Sequence, residues 1–561
     1  MRGPPNGGRE AAFSPDRNKA RRGRQAALPR GFTLWILHNG GPAPALGRGA
    51  PGGSSLVFED NKVCAVVAEA AAEDALAAAR LALRRTRTIE LRLDYLVSED
   101  EFAALLRGIV PLAGQATLIA TCRRKEAGGR FEGSMARQIS RLVLAAGSGC
   151  AWCDLEIETV SRLNPATLRK TLGDVRLIIS AHDFARTPAR LGELRRRLES
   201  AGGDLVKLAA LTRNYRELVR LLRAAHRRSH VIVAPMGEVG QPGRILAVRE
   251  GSALAYASVG RPVAPGQLPL ETLQSVYRVE RHNRRTQLYG VIGNPIGHSL
   301  SPLMHNAGFA HRHVNAVFIP FLVRDLADFM KAVRPLRISG LSVTLPHKQQ
   351  ILRYLDECEP LAAEIGAVNT VVCRAGKLHG YNTDHLGVML SLGRKIKLEG
   401  ARVLIFGVGG AGRTVGFAAA RAGAQVFFCA RRPEAARAAA RDFGAEAVER
   451  KDLRELEFDA IVNATPIGMM PLADVSPLEA AELRCGLVFD LIYRPMRTRL
   501  LRLAERRGIA TLSGVDMFVA QGVAQWELWT GEKAPVRPMR AEVTAALARE
   551  ETQSHARRSA S

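Results

Sequence analysis

Two reactive side chains lie at the ends of short apolar runs in the first half of the chain. Lys207 comes at the end of the run Leu205–Leu208, and His182 follows the run Leu177–Ser180. We expect desolvation in an apolar strand to lower the pKa of the Lys207 ammonium, so that the free amine can condense with a ketone to a Schiff base. His182, with a pKa near neutrality, can then take a proton from the carbon next to the iminium.

Further polar side chains follow other apolar runs of the same region. Arginine holds a carboxylate through two parallel hydrogen bonds, so the arginines among them predict an acidic substrate. The residues concerned are Glu90, Arg92, Arg123, Arg244 and Gln267.

A glycine-rich turn follows the apolar run Arg402–Phe406 in the second half of the chain. Its glycines let the backbone approach a pyrophosphate bound at the start of the next helix. Arg431 and Arg432 follow the next strand, Gln425–Cys429, where an NAD site carries an acidic residue, so we predict NADP as the cofactor. The residues of the turn are Gly407, Gly409, Gly410, Ala411 and Gly412.

Upstream of this turn are residues suited to binding and oxidising or reducing a hydroxy acid. Ser299 and Ser301 lie two residues apart in a loop bounded by proline and glycine, and both hydroxyls can donate to one carboxylate. Lys348 and Asp384 form a plausible acid/base pair for a hydroxyl that is made or oxidised. An exposed salt bridge is the alternative interpretation of this pair.

The elements that position the first group are eight short apolar runs separated by helical stretches such as Glu73–Arg84 and Pro188–Ser200. This alternation predicts a closed (β/α)₈ barrel with its chemistry at the C-terminal ends of the strands. The runs are Val63–Val67, Ile89–Leu93, Thr117–Thr121, Cys153–Ile157, Leu177–Ser180, Leu205–Leu208, Val231–Ala234 and Ala253–Ala257.

The fold class is therefore α/β, with the barrel followed by a two-domain α/β unit. We predict a disordered basic extension over residues 1–60 and the barrel over 61–278. A substrate-binding domain over 287–386, completed by 515–548, and a Rossmann-type NADP domain over 387–514 follow. The polar residues after about Arg549 are expected to fray.

The strings Glu90–Asp94, Ser180–Phe184 and Ala264–Gln267, together with Lys207, resemble type I 3-dehydroquinate dehydratase. This resemblance implies that Lys207 forms the imine and that His182 is the general acid/base. It assigns substrate binding to Glu90, Arg92, Arg123, Arg244 and Gln267.

This chain departs from that family at two positions. Ala127 stands where the family usually has a glutamate that supports the histidine, and we expect Glu126 to reach His182 instead. Val263 stands where the family usually has a serine, which removes one hydrogen bond to the substrate. Neither change removes Lys207 or the base, but an impaired barrel beside an active reductase remains an alternative.

The second half, over about 287–545, resembles shikimate dehydrogenase in a series of ordered strings such as Val343–Lys348 and Ala367–Thr370. The resemblance implies that Lys348 and Asp384 are catalytic. It assigns contacts with the substrate to Ser299, Ser301, Thr344, Asn369 and Gln521. In addition to the glycine-rich turn and the arginine pair, it assigns contacts with the cofactor to Asn463, Thr465 and Gly514. Together the two halves imply a fused enzyme that catalyses two successive steps of aromatic biosynthesis.

Composition restricts the remaining interpretations. The chain has 561 residues and a net charge of +26, with 12 lysines and 68 arginines. No apolar run reaches the ~18 residues of a membrane span, and eight irregularly spaced cysteines indicate reduced thiols and a cytoplasmic protein. We expect small-molecule partners, no metal and no nucleic acid, and an oligomer is open; an arginine-rich nucleic-acid binder is the alternative.

Overall fold

The computed structural model describes Phe58 and residues 61–559. The predicted basic extension lies outside the described residues, apart from Phe58. Within the described part of the chain, no helix is both long and apolar enough to cross a membrane.

Residues 63–258 contain eight parallel strands, and each strand is joined to the next by a segment with one or two helices. The strands are β1 (Val63–Val67), β2 (Thr88–Arg92), β3 (Thr117–Thr121), β4 (Trp152–Glu156), β5 (Arg176–Asp183), β6 (Leu205–Leu211), β7 (Val231–Met236) and β8 (Ala255–Ser258). The helices are α1 (Ala72–Leu83), α2 (Glu99–Ala113), α3 (Met135–Gly147), α4 (Ile157–Val160), α5 (Pro165–Leu172), α6 (Leu191–Ser200), α7 (Tyr215–Ala224) and α8 (Gln241–Glu250).

The strands pair in the order β7-β6-β5-β4-β3-β2-β1-β8. The amide of Ala253, just before β8, donates to the carbonyl of Val231 at 3.0 Å and brings the two ends of the sheet together. Strands β1, β4 and β7 are buried along their whole length because one face packs inside the ring and the other against helices. The predicted (β/α)₈ barrel is confirmed.

Two strands that carry predicted site residues are longer than the apolar runs indicate. Strand β5 continues through His182 to Asp183, and β6 continues to Leu211. Lys207 is therefore the third residue of its strand, and its predicted position at the strand end is wrong. The backbone of Ala209–Leu211 goes on pairing with β7, so the ladder extends beyond the lysine.

The second half contains two six-stranded sheets. The first consists of β9 (Gln287–Gly293), β10 (Ala316–Leu322), β11 (Ile338–Val343), β12 (Glu357–Cys358), β13 (Thr370–Arg374) and β14 (Lys377–Tyr381), in the order β10-β9-β11-β13-β14-β12. The second consists of β15 (Arg402–Phe406), β16 (Gln425–Cys429), β17 (Glu446–Ala447), β18 (Phe458–Asn463), β19 (Cys485–Asp490) and β20 (Ala510–Leu512), in the order β17-β16-β15-β18-β19-β20.

The second sheet is wholly parallel, as in Rossmann-type domains, whereas β13 runs antiparallel to both its neighbours in the first. The helices are α9 (Ser301–His311), α10 (Leu326–Val333), α11 (Pro360–Ile365), α12 (Asp384–Leu392), α13 (Gly410–Arg421), α14 (Pro433–Phe443), α15 (Arg499–Arg506), α16 (Gly514–Thr530) and α17 (Val536–Ser559). Helices α16 and α17 return to pack on α9. Helix α17 continues to Ser559, beyond the point near Arg549 where fraying is predicted to begin.

The barrel and the first sheet of the second half share one hydrophobic core. The Tyr215 ring at the start of α7 lies 4.9 Å from the ring of Phe329, and its hydroxyl donates to the carbonyl of Leu322 at 2.9 Å. The Arg249 side chain of α8 donates to the carbonyls of Thr286 and Leu336. The barrel and this sheet are therefore joined by a continuous hydrophobic core as well as by the chain.

Candidate active sites

The Lys207 ammonium lies inside the barrel among charged groups. Its Nζ is 3.1 Å from Asp154 Oδ2 and 3.4 Å from Glu90 Oε1, and it stands 3.8 Å from the centre of the Tyr256 ring. All four residues are buried. The expected apolar surroundings of Lys207 are wrong, since two carboxylates and an aromatic face surround it. The amine is held at one fixed place beside the cavity.

His182 lies one strand away, at the end of β5. Its ring is partly exposed, but its Nδ1 is buried and has no hydrogen-bond partner. Burial, followed by the positive charges of Arg123 and Lys207, holds the pKa of His182 well below its ordinary value. The imidazole is therefore neutral near pH 7 and can accept a proton.

The cations around the barrel cavity differ in their partners. Arg92 pairs with Asp94 at 2.8 Å, and Arg123 pairs with Asp154 at 2.8 Å. Arg244 is 4 % exposed, its Nε has no partner, and burial lowers its pKa to about 10. No ion pair joins it to a carboxylate among the described residues. A desolvated guanidinium of this kind attracts an anion, so Arg244 is the best placed group for a substrate carboxylate.

The predicted barrel residues converge on one cavity of about 60 Å³. Those that line it are Glu90, Arg92, Arg123, His182, Lys207, Arg244 and Gln267. Phe184 covers the His182 ring at 6.2 Å between centroids. Prediction from the sequence missed Asp154, Ser180 and Tyr256, which hold Arg123 and Lys207 in place. Asp154 gave a signal, being a charged residue within the apolar run Cys153–Ile157.

The structure shows where the side chains lie at the two departures from the dehydratase family, Ala127 and Val263. The Glu126 side chain is 72% exposed and pairs with Arg124 at 3.3 Å, so the expectation that it reaches His182 is wrong. The tight turn over Lys125–Ala127 directs it to solvent, while Ala127 lines the cavity. Val263 also lines the cavity, and its amide donates to Gln267 Oε1 at 2.9 Å.

In the second half, Lys348 and Asp384 form a close, largely buried pair with Nζ 2.5 Å from Oδ2. Asp384 is the first residue of α12, and the loop before it is fixed by Asn369. The Asn369 Oδ1 accepts from the Thr383 amide at 2.8 Å, and its Nδ2 donates to Thr383 Oγ1 at 3.0 Å. The alternative of an exposed salt bridge is excluded by this burial.

The other predicted substrate contacts lie on separate elements of the second half. The Ser301 amide donates to Ser299 Oγ at 3.3 Å at the start of α9, Thr344 follows β11, and the Gln521 amide of α16 donates to the Phe518 carbonyl. The structure adds Tyr493, which is stacked on Phe518 at 4.2 Å and lies against Ser299. The sequence analysis gave Tyr493 no role.

The glycine-rich turn lies directly beside Lys348. A Cβ on Gly410 would lie 3.0 Å from the Lys348 Cβ, and one on Gly412 would lie 2.0 Å from the Gly407 carbonyl oxygen. Gly407 has a φ of +109°. Only glycine fits this close approach of backbone to backbone, which leaves amides at the start of α13 free for a pyrophosphate.

Other predicted cofactor residues surround the same edge of the parallel sheet. Arg431 and Arg432 are exposed after β16, and no ion pair joins either to a described carboxylate. Asn463 ends β18 and accepts from Thr465 Oγ1 at 2.7 Å, and Gly514 begins α16. The arrangement fits a dinucleotide with a 2′-phosphate, because a free guanidinium pair stands where the ribose would lie.

Comparison with known protein families gives three matches along the chain. The family described as type I 3-dehydroquinase matches residues 63–284. The shikimate dehydrogenase substrate binding domain matches 291–371, and the shikimate 5'-dehydrogenase C-terminal domain matches 514–544. These matches include the residues that line the barrel cavity and the serine loop of the second half.

Individual relatives cover either the whole arrangement or its second half. A bifunctional 3-dehydroquinate dehydratase/shikimate dehydrogenase, chloroplastic, from Arabidopsis thaliana is 34% identical over 474 residues, covering 80% of this chain and 78% of the relative. A shikimate dehydrogenase (NADP(+)) from Bacillus cereus is 42% identical over 267 residues, covering 45% of this chain and 96% of the relative.

Among solved structures, shikimate 5-dehydrogenase from Thermus thermophilus in complex with NADP(H) and shikimate is 36% identical. The aligned region covers 47% of this chain and 100% of the Thermus thermophilus protein, with a TM-score of 0.44. Two catalytic units in one chain, matched in order by the plant relative, identify this chain as a member of the bifunctional 3-dehydroquinate dehydratase/shikimate dehydrogenase family.

Proposed function

We propose that the barrel dehydrates 3-dehydroquinate to 3-dehydroshikimate and that the second half reduces this product to shikimate with NADPH. The observation that carries the proposal is the pairing of two complete sites in one chain. Lys207 and a neutral His182 share one cavity, and the Lys348–Asp384 pair adjoins a dinucleotide turn.

In the barrel, the Lys207 amine attacks the substrate ketone and water leaves to form an iminium. His182 takes the proton from the neighbouring carbon and returns it to the departing hydroxyl, which leaves as water. Hydrolysis of the imine then frees Lys207 and the conjugated ketone. Arg244 holds the carboxylate throughout, since it is the cation at this cavity that has no carboxylate partner of its own.

In the second half, the glycine-rich turn and the Arg431–Arg432 pair would hold NADPH, which would supply a hydride for reduction of the ketone. Lys348 supplies the proton that the new alkoxide oxygen needs, and Asp384 orients the lysine through their 2.5 Å contact. Ser299, Ser301 and Thr344 place the substrate carboxylate, and Asn369 fixes the loop that carries Asp384. Arg431 and Arg432 favour NADPH over NADH by binding its 2′-phosphate.

One observation favours a second candidate, an active reductase beside an impaired dehydratase. The buried Nδ1 of His182 has no partner, and Ala127, which has no polar group, lines the same cavity. A base without a partner is oriented less firmly, which lowers the rate of dehydration.

The purified protein, supplied with 3-dehydroquinate and NADPH, distinguishes the two candidates. Simultaneous absorbance measurements follow the conjugated intermediate and the consumption of NADPH. Consumption of NADPH when 3-dehydroquinate is the substrate supports the fused enzyme. Consumption of NADPH with 3-dehydroshikimate but not with 3-dehydroquinate shows an impaired barrel. If NADPH is consumed with neither substrate, the proposal is contradicted.

We further propose that the protein acts in the cytoplasm on small molecules and does not bind nucleic acid. All eight cysteines are free thiols, which suits a reducing compartment. The plant relative is a chloroplast protein, so the compartment needs its own test. Fractionation of the native cell locates the protein. A binding titration with duplex DNA at low salt tests whether the net charge of +26 leads to binding of nucleic acid.

A further inference from the structure

A buried amide on helix α16 forms hydrogen bonds at both of its ends. Gln525 lies one helical turn after Gln521 and is 1% exposed. Its Oε1 accepts a hydrogen bond from Ser342 Oγ at 2.6 Å. Its Nε2 donates to the carbonyl of Asn369 at 3.2 Å and to Thr370 Oγ1 at 3.1 Å. The carboxamide therefore has partners for its oxygen and for its nitrogen.

These partners lie at the adjoining ends of two paired strands. Ser342 of β11 is the partner of Thr370 of β13 in the antiparallel register. Thr344 follows β11, and Asn369 directly precedes β13, so both predicted substrate contacts lie next to the bridged positions. Gln525 thus joins α16 to the two strand ends that carry Thr344 and Asn369.

The hydrogen bonds continue from this amide to the acid/base pair. Thr370 Oγ1 accepts from the amide and donates its own proton to Asn369 Oδ1 at 2.8 Å. Asn369 in turn holds Thr383, the residue before Asp384, whose carboxylate pairs with Lys348. Thr370, Asn369 and Thr383 are buried, so water does not compete for these bonds.

A second buried amide of the same domain has no such connection. Asn306 of α9 donates to the carbonyl of Phe318 at 2.8 Å and accepts from the Phe318 amide at 2.8 Å. It joins α9 to β10 by main-chain contacts alone. Asn306 therefore shows what an amide with a purely structural role looks like here, and it differs from Gln525 in its partners.

We propose that Gln525 is a positioning residue for the reduction. Through its hydrogen bonds it sets the places of Asn369 and Thr344, and with them the orientation of the Lys348–Asp384 pair toward the ketone. It acts through these neighbours and not by contact with the reacting atoms. A displacement of about 1 Å at a distance from the chemistry can lower a rate by ~10²-fold. The inference rests on the proposed function, because it requires this pair to act in the reduction of 3-dehydroshikimate.

The test compares two variants of the full chain. Gln525→Met keeps the length of the side chain but removes its polar groups, and Asn306→Leu does the same for the control amide. The measurements are kcat for reduction, KM for 3-dehydroshikimate and KM for NADPH, together with the melting temperature. We expect Gln525→Met to lower kcat by ~10–10²-fold and to leave KM for NADPH unchanged. Asn306→Leu should lower the melting temperature and keep kcat and both KM values.

Two milder variants test the path of hydrogen bonds. Thr370→Val keeps the shape of the side chain and removes its hydroxyl, so its effect on kcat should not add to that of Gln525→Met in the double variant. Ser342→Ala removes one hydroxyl at the other end of the amide and should lower kcat by ~2–10-fold, as the loss of one hydrogen bond does. It takes the place of Gln525→Met if the methionine variant does not fold.

Unchanged kcat in Gln525→Met, or in Ser342→Ala where the methionine variant does not fold, would overturn the positioning role. An equal loss of kcat in Asn306→Leu would overturn it as well, because any loosening of the domain would then have the same effect. Fully additive effects of Gln525→Met and Thr370→Val would contradict the shared path and with it the proposal. Failure of the unmodified protein to reduce 3-dehydroshikimate with NADPH contradicts the proposed function instead, so the two failures are distinguishable.

Discussion

At the scale of single residues, the Lys207 amine and the His182 imidazole line one barrel cavity, so we expect a covalent intermediate to form on Lys207. We predict that borohydride added with 3-dehydroquinate traps an adduct on Lys207, because reduction converts an imine to a stable secondary amine. Peptide mass spectrometry locates the adduct. Lys170, on helix α5 of the same barrel, is the internal comparison and should remain unmodified. Dehydration that proceeds without any trapped adduct would contradict the Schiff base.

The pH profile of dehydration should reflect the environment of His182. A histidine whose pKa is depressed stays neutral until the pH falls below that depressed value, so the acidic limb should lie below the ordinary pKa of 6.5. The measurement is the dependence of kcat/KM for 3-dehydroquinate on pH. An acidic limb centred above pH 6.5 would contradict a neutral base held by burial and neighbouring cations.

Ala127→Glu tests the unpartnered Nδ1 of His182. A carboxylate at this position lies on the cavity wall and should raise the pKa of the imidazole, so the acidic limb moves to higher pH. Better orientation of the base should raise the rate of dehydration by ~10-fold or more, a part of the ~10²–10⁴-fold that acid–base catalysis supplies in total. Ala127→Gln introduces a side chain of the same shape as Glu without its charge and should not move the acidic limb of the pH profile. An unchanged rate and limb in both variants would show that this turn does not support His182.

The sequence was sufficient to predict that Lys207 and His182 line one cavity but not to predict the orientation of Glu126. Lys207 and His182 lie in or beside apolar runs that parallel strands produce, so their presence at one cavity could be predicted. The direction of Glu126 depends on a single tight turn, in which Ala127 and Gly128 donate to the carbonyls of Arg124 and Lys125. No pattern of residue types reveals which side of such a turn faces the cavity.

At the scale of elements, the cofactor site depends on the carboxyl edge of the parallel sheet. We predict a preference for NADPH over NADH of ~10²-fold, since a charge-assisted hydrogen bond contributes about 1.5–3 kcal/mol. Arg431→Ala should raise the KM for NADPH and leave that for NADH nearly unchanged. Arg441→Ala, an exposed arginine near the end of α14, is the control and should affect neither. Equal use of both cofactors by the unmodified enzyme would contradict the proposed phosphate contact.

Strand prediction succeeded where burial on both faces gives uninterrupted apolar runs. The expected runs Val63–Val67, Thr117–Thr121 and Arg402–Phe406 coincide with β1, β3 and β15. Strands β5 and β6 were predicted too short, because polar site residues or small alanines end the apolar run while the backbone pairing goes on. The C-terminal ends of β5 and β6, near the candidate site residues, are therefore predicted incorrectly.

At the scale of the whole molecule, the shared core makes the barrel and the first sheet one mechanical unit. Tyr215→Ala removes a ring that is 2% exposed and should cost about 3–5 kcal/mol, as large aromatic truncations in cores do. Dehydration and reduction should then be lost together on heating, at a lower temperature than in the unmodified protein. The measurement is residual activity of both kinds after graded heating.

Phe427→Ala is the comparison for this experiment. Phe427 packs against Phe458 in the core of the Rossmann-type sheet, away from the barrel. Its truncation should remove reduction at a lower temperature than dehydration. Dehydration that survives unchanged in Tyr215→Ala while reduction is lost would show that the boundary does not couple the two units.

The contact of Tyr215 with Phe329 also has a consequence for how this gene can be divided. A chain cut between the barrel and the second half would leave an aromatic face bare on each fragment, with the Arg249 guanidinium parted from the carbonyls of Thr286 and Leu336. Surfaces of this kind drive aggregation when they are left uncovered. The two halves, if produced as separate polypeptides, should therefore stay in solution only when they are co-expressed and reassemble across this face, and the fusion keeps this face covered as well as linking two reactions.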